Sequence, residues 1–343
     1  NSIKSEIEKI LFTSTEFIDR KLPKPQIYLR PWLAERSLNM IYGKRGVGKS
    51  WLALIIAISL TRSSQSDLED LGSWQAKKKA GVIYLDGEMD NSLLQENLDQ
   101  LTKDICGEDP ENPLLIMSGH DFTQAYDKRL SLTTAEYREA IYQMLKAKPN
   151  IKVLILDNAS ALMGGGDENK AEDWAPINQW LISLRHIGVS TILLHHANKE
   201  GRQRGTSSRE DAMDTVINVD FPKNYNQNED YAWFNVSFEK SRNLRPGDSK
   251  RNFSIRIVPN DKGGLTWETD DKGTDDKEKF LIREDLLKND LNQNEIAKKY
   301  NMTKGRISQI KTESIGEGYL EKKPKTRGLF PGKKWNEYEL NNG

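Results

Sequence analysis

Gly43-Lys44-Arg45-Gly46-Val47-Gly48-Lys49-Ser50 decides the fold. The octapeptide matches G-x-x-x-x-G-K-[ST] at every defined position. An apolar stretch from Leu38 to Tyr42 precedes it and a longer one, Trp51 to Leu60, follows, as a strand–loop–helix context requires. Glycines 43, 46 and 48 let a backbone fold around a polyanion with its N–H groups turned inward. The helix after the loop aims the positive end of its dipole at the same place. Lys49 is therefore expected to neutralise the β and γ phosphates of ATP, and the Ser50 hydroxyl to ligate Mg²⁺. Lys44, Arg45, Val47 and Trp51 complete the expected nucleotide-binding segment.

Outward from the loop, short apolar runs alternate with helical patterns between residues 36 and 258. Strands are expected at Leu38–Tyr42, Gly81–Leu85, Leu114–Met117, Val153–Leu156 and Thr191–Leu194, with helices at Ser50–Thr61, Leu93–Asp104, Thr134–Lys148 and Trp174–Ile187. Such alternation predicts an α/β domain with a mostly parallel sheet covered on both faces. Tyr231–Lys240 and Asn252–Val258 alternate apolar and polar residues and read as strands added at the sheet edge, partly antiparallel. Residues 1–35 read as an amphipathic helix, with Ile3, Ile7, Ile10 and Leu11 at helical spacing, and an extended arm through Leu22-Pro23-Lys24-Pro25. This arm either packs on its own domain or reaches a second copy. Residues 259–279, rich in Gly, Asp and Lys, read as a linker.

Three strand ends carry the remaining chemistry. Val153-Leu154-Ile155-Leu156-Asp157 puts a carboxylate at the edge where open α/β sheets bind ligands; Asp157 either holds Mg²⁺ through water or caps the next turn. Gly81 to Glu88 (GVIYLDGE) offers a second acid, with Glu88 the candidate base that polarises the attacking water and Asp86 its competitor. Thr191 to His196 (TILLHH) ends in two histidines, able to bond the γ-phosphate or to serve as plain hydrogen-bonding groups. Farther on, Phe238-Glu239-Lys240-Ser241-Arg242-Asn243 closes a strand with two cations one residue apart, which in a regular strand share a face. They read as charge supplied to a neighbouring subunit's phosphate, or as a solvated basic turn.

Residues 280–343 carry a different signature. Phe280–Leu287 reads as a helix, Asn292 begins a second, and Thr303 caps a third over Lys304–Thr312. Helix, short turn and helix form the arrangement whose last helix enters the major groove of DNA. That helix presents Lys304, Arg306, Gln309 and Lys311, and the stretch EKKPKTRGLFPGKKW after Leu320 reads as a basic hairpin, or wing. Eleven Lys or Arg against four Glu between Glu295 and Trp335 give a local excess of +7, which favours a nucleic-acid contact over a protein-interaction module.

In order, GKRGVGKS, YLDGEM, VLILDN, LLHHANK and EKSRN resemble the RecA-like ATPases of the RepA type, the hexameric replicative helicases of plasmids, related to the DnaB helicases. The likeness spans about residues 25–258. It implies a RecA-like ATPase core with a small C-terminal winged helix-turn-helix domain, ATP and Mg²⁺ as cofactors, and nucleotide held between subunits of a homo-oligomeric ring, commonly a hexamer. It also implies that Glu88 is the catalytic base, that His196 (with His195 one step off) is the sensor, and that Lys240 and Arg242 act across the subunit interface. DNA-facing loops would be Met163–Lys170, whose Asp167 and Glu168 suit a phosphate backbone poorly, and Lys199–Arg209, which carries Lys199, Arg202 and Arg204. The implied activity is helicase translocation on single-stranded DNA in replication. A non-translocating DNA-binding ATPase, acting as initiator or regulator, is the alternative; a strand-exchange recombinase has no need of the C-terminal domain.

Composition excludes several other classes. Lys plus Arg and Asp plus Glu number 51 each, so no global charge announces a nucleic-acid partner. Cys106 stands alone, which excludes an internal disulfide or a multi-cysteine metal site and suits a reducing, cytoplasmic setting. The longest apolar run is about half of what a bilayer requires. Asn1 rather than Met opens the sequence, leaving room for an upstream segment.

Overall fold

The computed structural model describes residues 3–62, 70–103 except 77, 105, 107, 109–164, 171–197, 212–242 except 223, 224 and 226–230, 244, 252–270, and 282–316 except 284, 288–290 and 301. They belong to two units, Asn1–Asp271 and Lys272–Gly343.

In the first unit, inner strands buried on both faces and outer strands buried mainly on one build the main sheet. Its members are β3 (Leu38–Gly43), β6 (Gly81–Asp86), β7 (Leu114–Ser118), β8 (Ile151–Asp157), β9 (Ser190–His196), β10 (Thr215–Asp220), β11 (Ala232–Ser241), β12 (Phe253–Pro259) and β13 (Leu265–Asp270). The order is β13-β12-β11-β10-β3-β9-β8-β6-β7. From β10 to β7 every pair is parallel, and β11, β12 and β13 add on antiparallel. The expected α/β fold with a mostly parallel sheet is therefore observed. The phosphate-loop strand β3 sits inside the sheet, and all six of its residues are buried, the signature of a strand covered on both sides.

Period-two alternation sorts side chains between two apolar layers. Ile41, Val82, Val153, Ile155, Ile192 and Leu194 face one layer; Met40, Ile83, Leu154, Leu156 and Leu193 face the other. The first layer holds α3 (Lys49–Thr61), in which eleven of thirteen residues are buried, and α4 (Asn91–Thr102). A helix apolar all round must be enclosed. A small antiparallel sheet belongs to the same cluster: β1 (Ile27–Arg30), β2 (Leu33–Ala34), β4 (Asp70–Leu71) and β5 (Trp74–Ala76), in the order β2-β1-β5-β4. Trp32 and Trp74 meet edge to face at 5.2 Å, and Trp74 meets Phe253 of β12 at 5.0 Å. The second layer holds α6 (Ala135–Lys146), α7 (Ala159–Leu162) and α8 (Ala171–His186); α5 (Gly119–Tyr126) follows β7.

Two expectations about boundaries change. Residues 27–34, read as part of an arm, form strands because Tyr28, Leu29, Trp32 and Leu33 are fully buried. Residues 265–270, read as linker, form β13: Leu265 and Trp267 are buried once the strand pairs with β12. What remains of the N-terminal arm is α1 (Ile3–Glu8) and α2 (Ser14–Asp19), neither with a buried residue. Ile3, Ile7, Ile10, Leu11, Phe12, Phe17, Ile18 and Leu22 are all exposed.

The second unit contains α9 (Gln293–Lys299) and α10 (Lys304–Gly316) after helical residues at 282, 283 and 285–287. Asn292 caps α9 through a capping box with Glu295, and Thr303 accepts the Arg306 N–H before α10. Ile282, Ile296, Ala297, Ile307 and Ile310 form its core. Asp285 anchors α9 by accepting from Lys299 at 2.7 Å and Tyr300 at 2.8 Å. The expected wing lies outside the described residues.

Candidate active site

The loop after β3 closes on itself through Lys49. Its side chain is buried, and Nζ donates to the carbonyls of Gly43 (3.0 Å) and Lys44 (2.8 Å). Burial pushes the ammonium from its ordinary 10.5 down to about 8, opposed by the charges of Asp157 and Glu88. Such a buried cation calls for an anion. Gly48 has φ +105° and no room for a side chain, since a Cβ would come 2.4 Å from the Phe234 ring of β11. Lys44 and Arg45 are exposed at the loop tip, Lys44 lying 3.5 Å from Asp220. Val47 is buried, and Trp51 packs against the first apolar layer.

Parallel register brings the acidic strand ends together. Asp86 and Asp157 are partners across β6 and β8, and His196 is the partner of Gly43 across β9 and β3. Asp157 is buried. It accepts from the Tyr84 hydroxyl at 2.5 Å and also hydrogen-bonds Ser50. Burial raises its carboxyl above the ordinary range against those donors and Lys49. A hydroxyl beside a carboxylate is the hard oxygen set that Mg²⁺ takes together with phosphate and water, so Ser50 and Asp157 fit the metal expected of them.

The two acids and the two histidines differ in their surroundings. The Asp86 carboxylate turns onto its own chain, accepting the N–H groups of Glu88 (3.0 Å) and Met89 (2.6 Å). Burial and the neighbouring Asp157 push it up to about 6. Glu88 instead stays 61% exposed and reaches Asn158, whose amide donates to it. His196 stands 3.2 Å from that amide and 3.8 Å from the Glu88 carboxylate. His196 shares the parity of Ile192 and Leu194, on the α3 side, whereas His195 shares that of Leu193 on the other face. Glu88, Asn158 and His196 thus form one cluster beside the loop. Asn158 was legible only as a turn former after Asp157; nothing local in the sequence marks its amide as the bridge.

Lys240 and Arg242 stand apart from this cluster. Lys240 pairs with Val216 and Phe238 with Ile217, so Glu239 is the extra residue of a bulge. The bulge reverses parity: Phe238 packs on the first apolar layer while Lys240 lies opposite Val216 of the second. Glu239 accepts a hydrogen bond from Tyr42, the residue before Gly43. Arg242 follows the strand end, its N–H on the Asp214 carbonyl at 2.8 Å. Val216 is in turn the partner of Met40. Lys240 therefore lies about 10 Å back along the strands from Gly43, and two strands, about 10 Å, across.

In the second unit, α10 carries Lys304 and Gln309 exposed and Arg306 and Lys311 half-buried, with Arg306 donating to Gln309 at 3.2 Å. Lys199, Arg202 and Arg204, and residues 165–170 of the other expected DNA-facing loop, lie outside the described residues. No helix among the described residues is long and apolar enough to cross a membrane.

No curated protein matches the chain by sequence. It is similar at low identity to three solved structures. One is a KaiC-like protein from the hyperthermophilic archaeon Pyrococcus horikoshii (17% identity, TM-score 0.43, 68% of this chain and 90% of that one). The others are the flagellar accessory protein FlaH of Methanocaldococcus jannaschii (16%, 0.45, 68% and 90%) and the RadB recombinase (15%, 0.42, 67% and 90%). The model of the AAA domain family matches residues 4–202. With more than half of its length in that match, and a complete phosphate loop on the central strand of a mostly parallel sheet, the chain belongs to the AAA domain family of P-loop ATPases.

Proposed function

We propose that this chain is an ATP-hydrolysing, ring-forming DNA helicase of the replicative kind found in plasmids, phages or mobile elements, moving on single-stranded DNA. The observation that carries the reading is the separation of Lys240 and Arg242 from the chain's own loop. Lys240, about 10 Å back and about 10 Å across from Gly43, and Arg242, farther back still, are remote from their own phosphates. Supplied by the next subunit, they would complete a site that one chain leaves half built, and a heterologous contact of this kind closes into a ring, commonly of six. The exposed apolar arm from Ile3 to Leu22 offers further surface for such contacts.

Within the site, Lys49 binds the β and γ phosphates of ATP and the loop N–H groups cradle them. Ser50 and Asp157 would hold Mg²⁺, which would offset the negative charge of the phosphates. Glu88 orients and deprotonates the attacking water; its exposed carboxylate is held by Asn158 rather than buried. His196, touching the same amide, senses the γ-phosphate. Lys240 and Arg242 of the neighbour stabilise charge in the transition state. Lys199, Arg202 and Arg204 would contact single-stranded DNA in the ring, and Lys304, Arg306, Gln309 and Lys311 duplex DNA.

Unwinding of forked DNA tests this. Wild-type protein should separate strands only with ATP, whereas Lys49→Ala and Arg242→Ala should not. Mixed rings of Lys49→Ala and Arg242→Ala should regain part of the ATPase activity, because some interfaces then join an intact loop to an intact Arg242. Absence of ATP-dependent unwinding by wild-type rings overturns the helicase reading. The capped helix–turn–helix of α9 and α10 favours a second reading, a non-translocating initiator or regulator. That protein would bind duplex DNA in a nucleotide-dependent way and leave forks intact.

A further inference from the structure

Tyr84 is the one polar residue among the apolar positions 82–85 of β6, and none of its surface is exposed. For packing alone phenylalanine would serve, and a buried hydroxyl left without a partner is costly. Here the hydroxyl has a partner in the site. It donates to Oδ2 of Asp157 at 2.5 Å, and Ser50 hydrogen-bonds both the phenol and the carboxylate. Ser50, Asp157 and Tyr84 therefore form a closed polar triad from three separate elements, α3, β8 and β6. Burial and the Asp157 charge hold the phenol well above its usual 10, so it remains a donor at any working pH.

We propose that Tyr84 is a positioning residue for the metal: its hydroxyl occupies one oxygen of Asp157, fixes the carboxylate plane, and leaves the other oxygen for a metal-bound water. Buried carboxylates swing or take up a proton when their donors are removed. Without the phenol, Asp157 keeps Ser50 and the Lys49 charge but loses the donor that is itself immobilised inside the sheet. Its grip on Mg²⁺ weakens, while Lys49 and the loop backbone that face phosphate keep their own contacts. Residues that hold a metal ligand in place without touching the metal typically change its affinity by about 10- to 100-fold when mutated. The inference rests on the assignment of Asp157 to the metal and not on helicase activity.

The test is binding of a fluorescent ADP analogue to the full chain across a Mg²⁺ titration, for wild type, Tyr84→Phe, Asp157→Asn and the double variant. For Tyr84→Phe, metal-free binding should stay within about twofold of wild type, and half-saturating Mg²⁺ should rise about tenfold. In the Asp157→Asn background the same substitution should change nothing further. If Asp157→Asn leaves the Mg²⁺ requirement unchanged, the metal role of Asp157 falls, and this inference with it. If Asp157→Asn raises the requirement but Tyr84→Phe does not, the inference alone falls. Loss of cooperative unfolding in Tyr84→Phe would reduce Tyr84 to a packing residue and overturn it equally.

Discussion

Replacing Lys49 by methionine, which keeps the length and apolar stem but removes the charge, exposes what burial of that ammonium costs. The ammonium is buried against Gly43 and Lys44 carbonyls, and its pKa is pushed down to about 8 from 10.5. A lysine with a depressed native pKa binds fewer protons folded than unfolded, so stability rises with pH across that interval. At about 1.4 kcal/mol per pH unit, the rise from 8 to 10.5 approaches about 3 kcal/mol. Below pH 8 the charged form carries its full penalty; above 10.5 the penalty is gone. Urea unfolding, followed by the fluorescence of the enclosed Trp32, Trp74 and Trp174, gives stability for wild type and Lys49→Met between pH 7 and 10. The wild-type curve should climb relative to the variant's, because other groups titrating there cancel in the difference. Saturating ADP, whose phosphates neutralise the ammonium, should flatten the climb. Curves parallel within about 0.5 kcal/mol refute the claim that burial of Lys49 is strained and relieved by phosphate.

Asp86→Asn keeps an oxygen for the N–H groups of Glu88 and Met89 but removes a charge held up to about 6 by burial. The native state holds that proton more tightly, so wild-type stability falls as pH rises from 3.8 through 6; the variant should gain about 1–3 kcal/mol at pH 7 and little at pH 4, read by denaturation at both. Gly48→Ala must accommodate a Cβ 2.4 Å from the Phe234 ring at φ +105°; it should lose about 2–4 kcal/mol and nucleotide binding together, measured by melting with and without ADP. Ile7→Glu combined with Ile18→Glu alters exposed side chains of α1 and α2. Light scattering should report a smaller assembly, while the unfolding free energy of the dilute chain stays within about 0.5 kcal/mol.

The phosphate loop and five of the parallel strands were legible because their signals are local. A glycine pattern and an apolar run carry their meaning within ten residues. Thr215–Asp220 was passed over although β10 is the strand joining β3 to the antiparallel edge. Leu265–Asp270 looked like linker because its burial exists only once it pairs with β12. The four-residue and shorter strands around Trp32 and Trp74 are too short for periodicity to register. At the site, residue type and strand position were enough to put Glu88 and Asp157 at the ends of neighbouring strands. The roles of Tyr84, Asp86 and Asn158 depend on register between strands distant in sequence. The bulge at Glu239 likewise had no local sign, and with it the face of Lys240 changed.

Strand β11 touches the phosphate loop at one end, through Phe234 on Gly48, and carries Lys240 near the other. Six residues of extended chain make a strut about 20 Å long, paired with β12 as far as Val236 and with β10 from Asn235 onward. Its length is a gauge. In the proposed ring it sets the interval between the nucleotide a subunit holds and the one it helps its neighbour to cleave. An insertion anywhere between Phe234 and Lys240 would put successive sites out of step without altering a single residue of either.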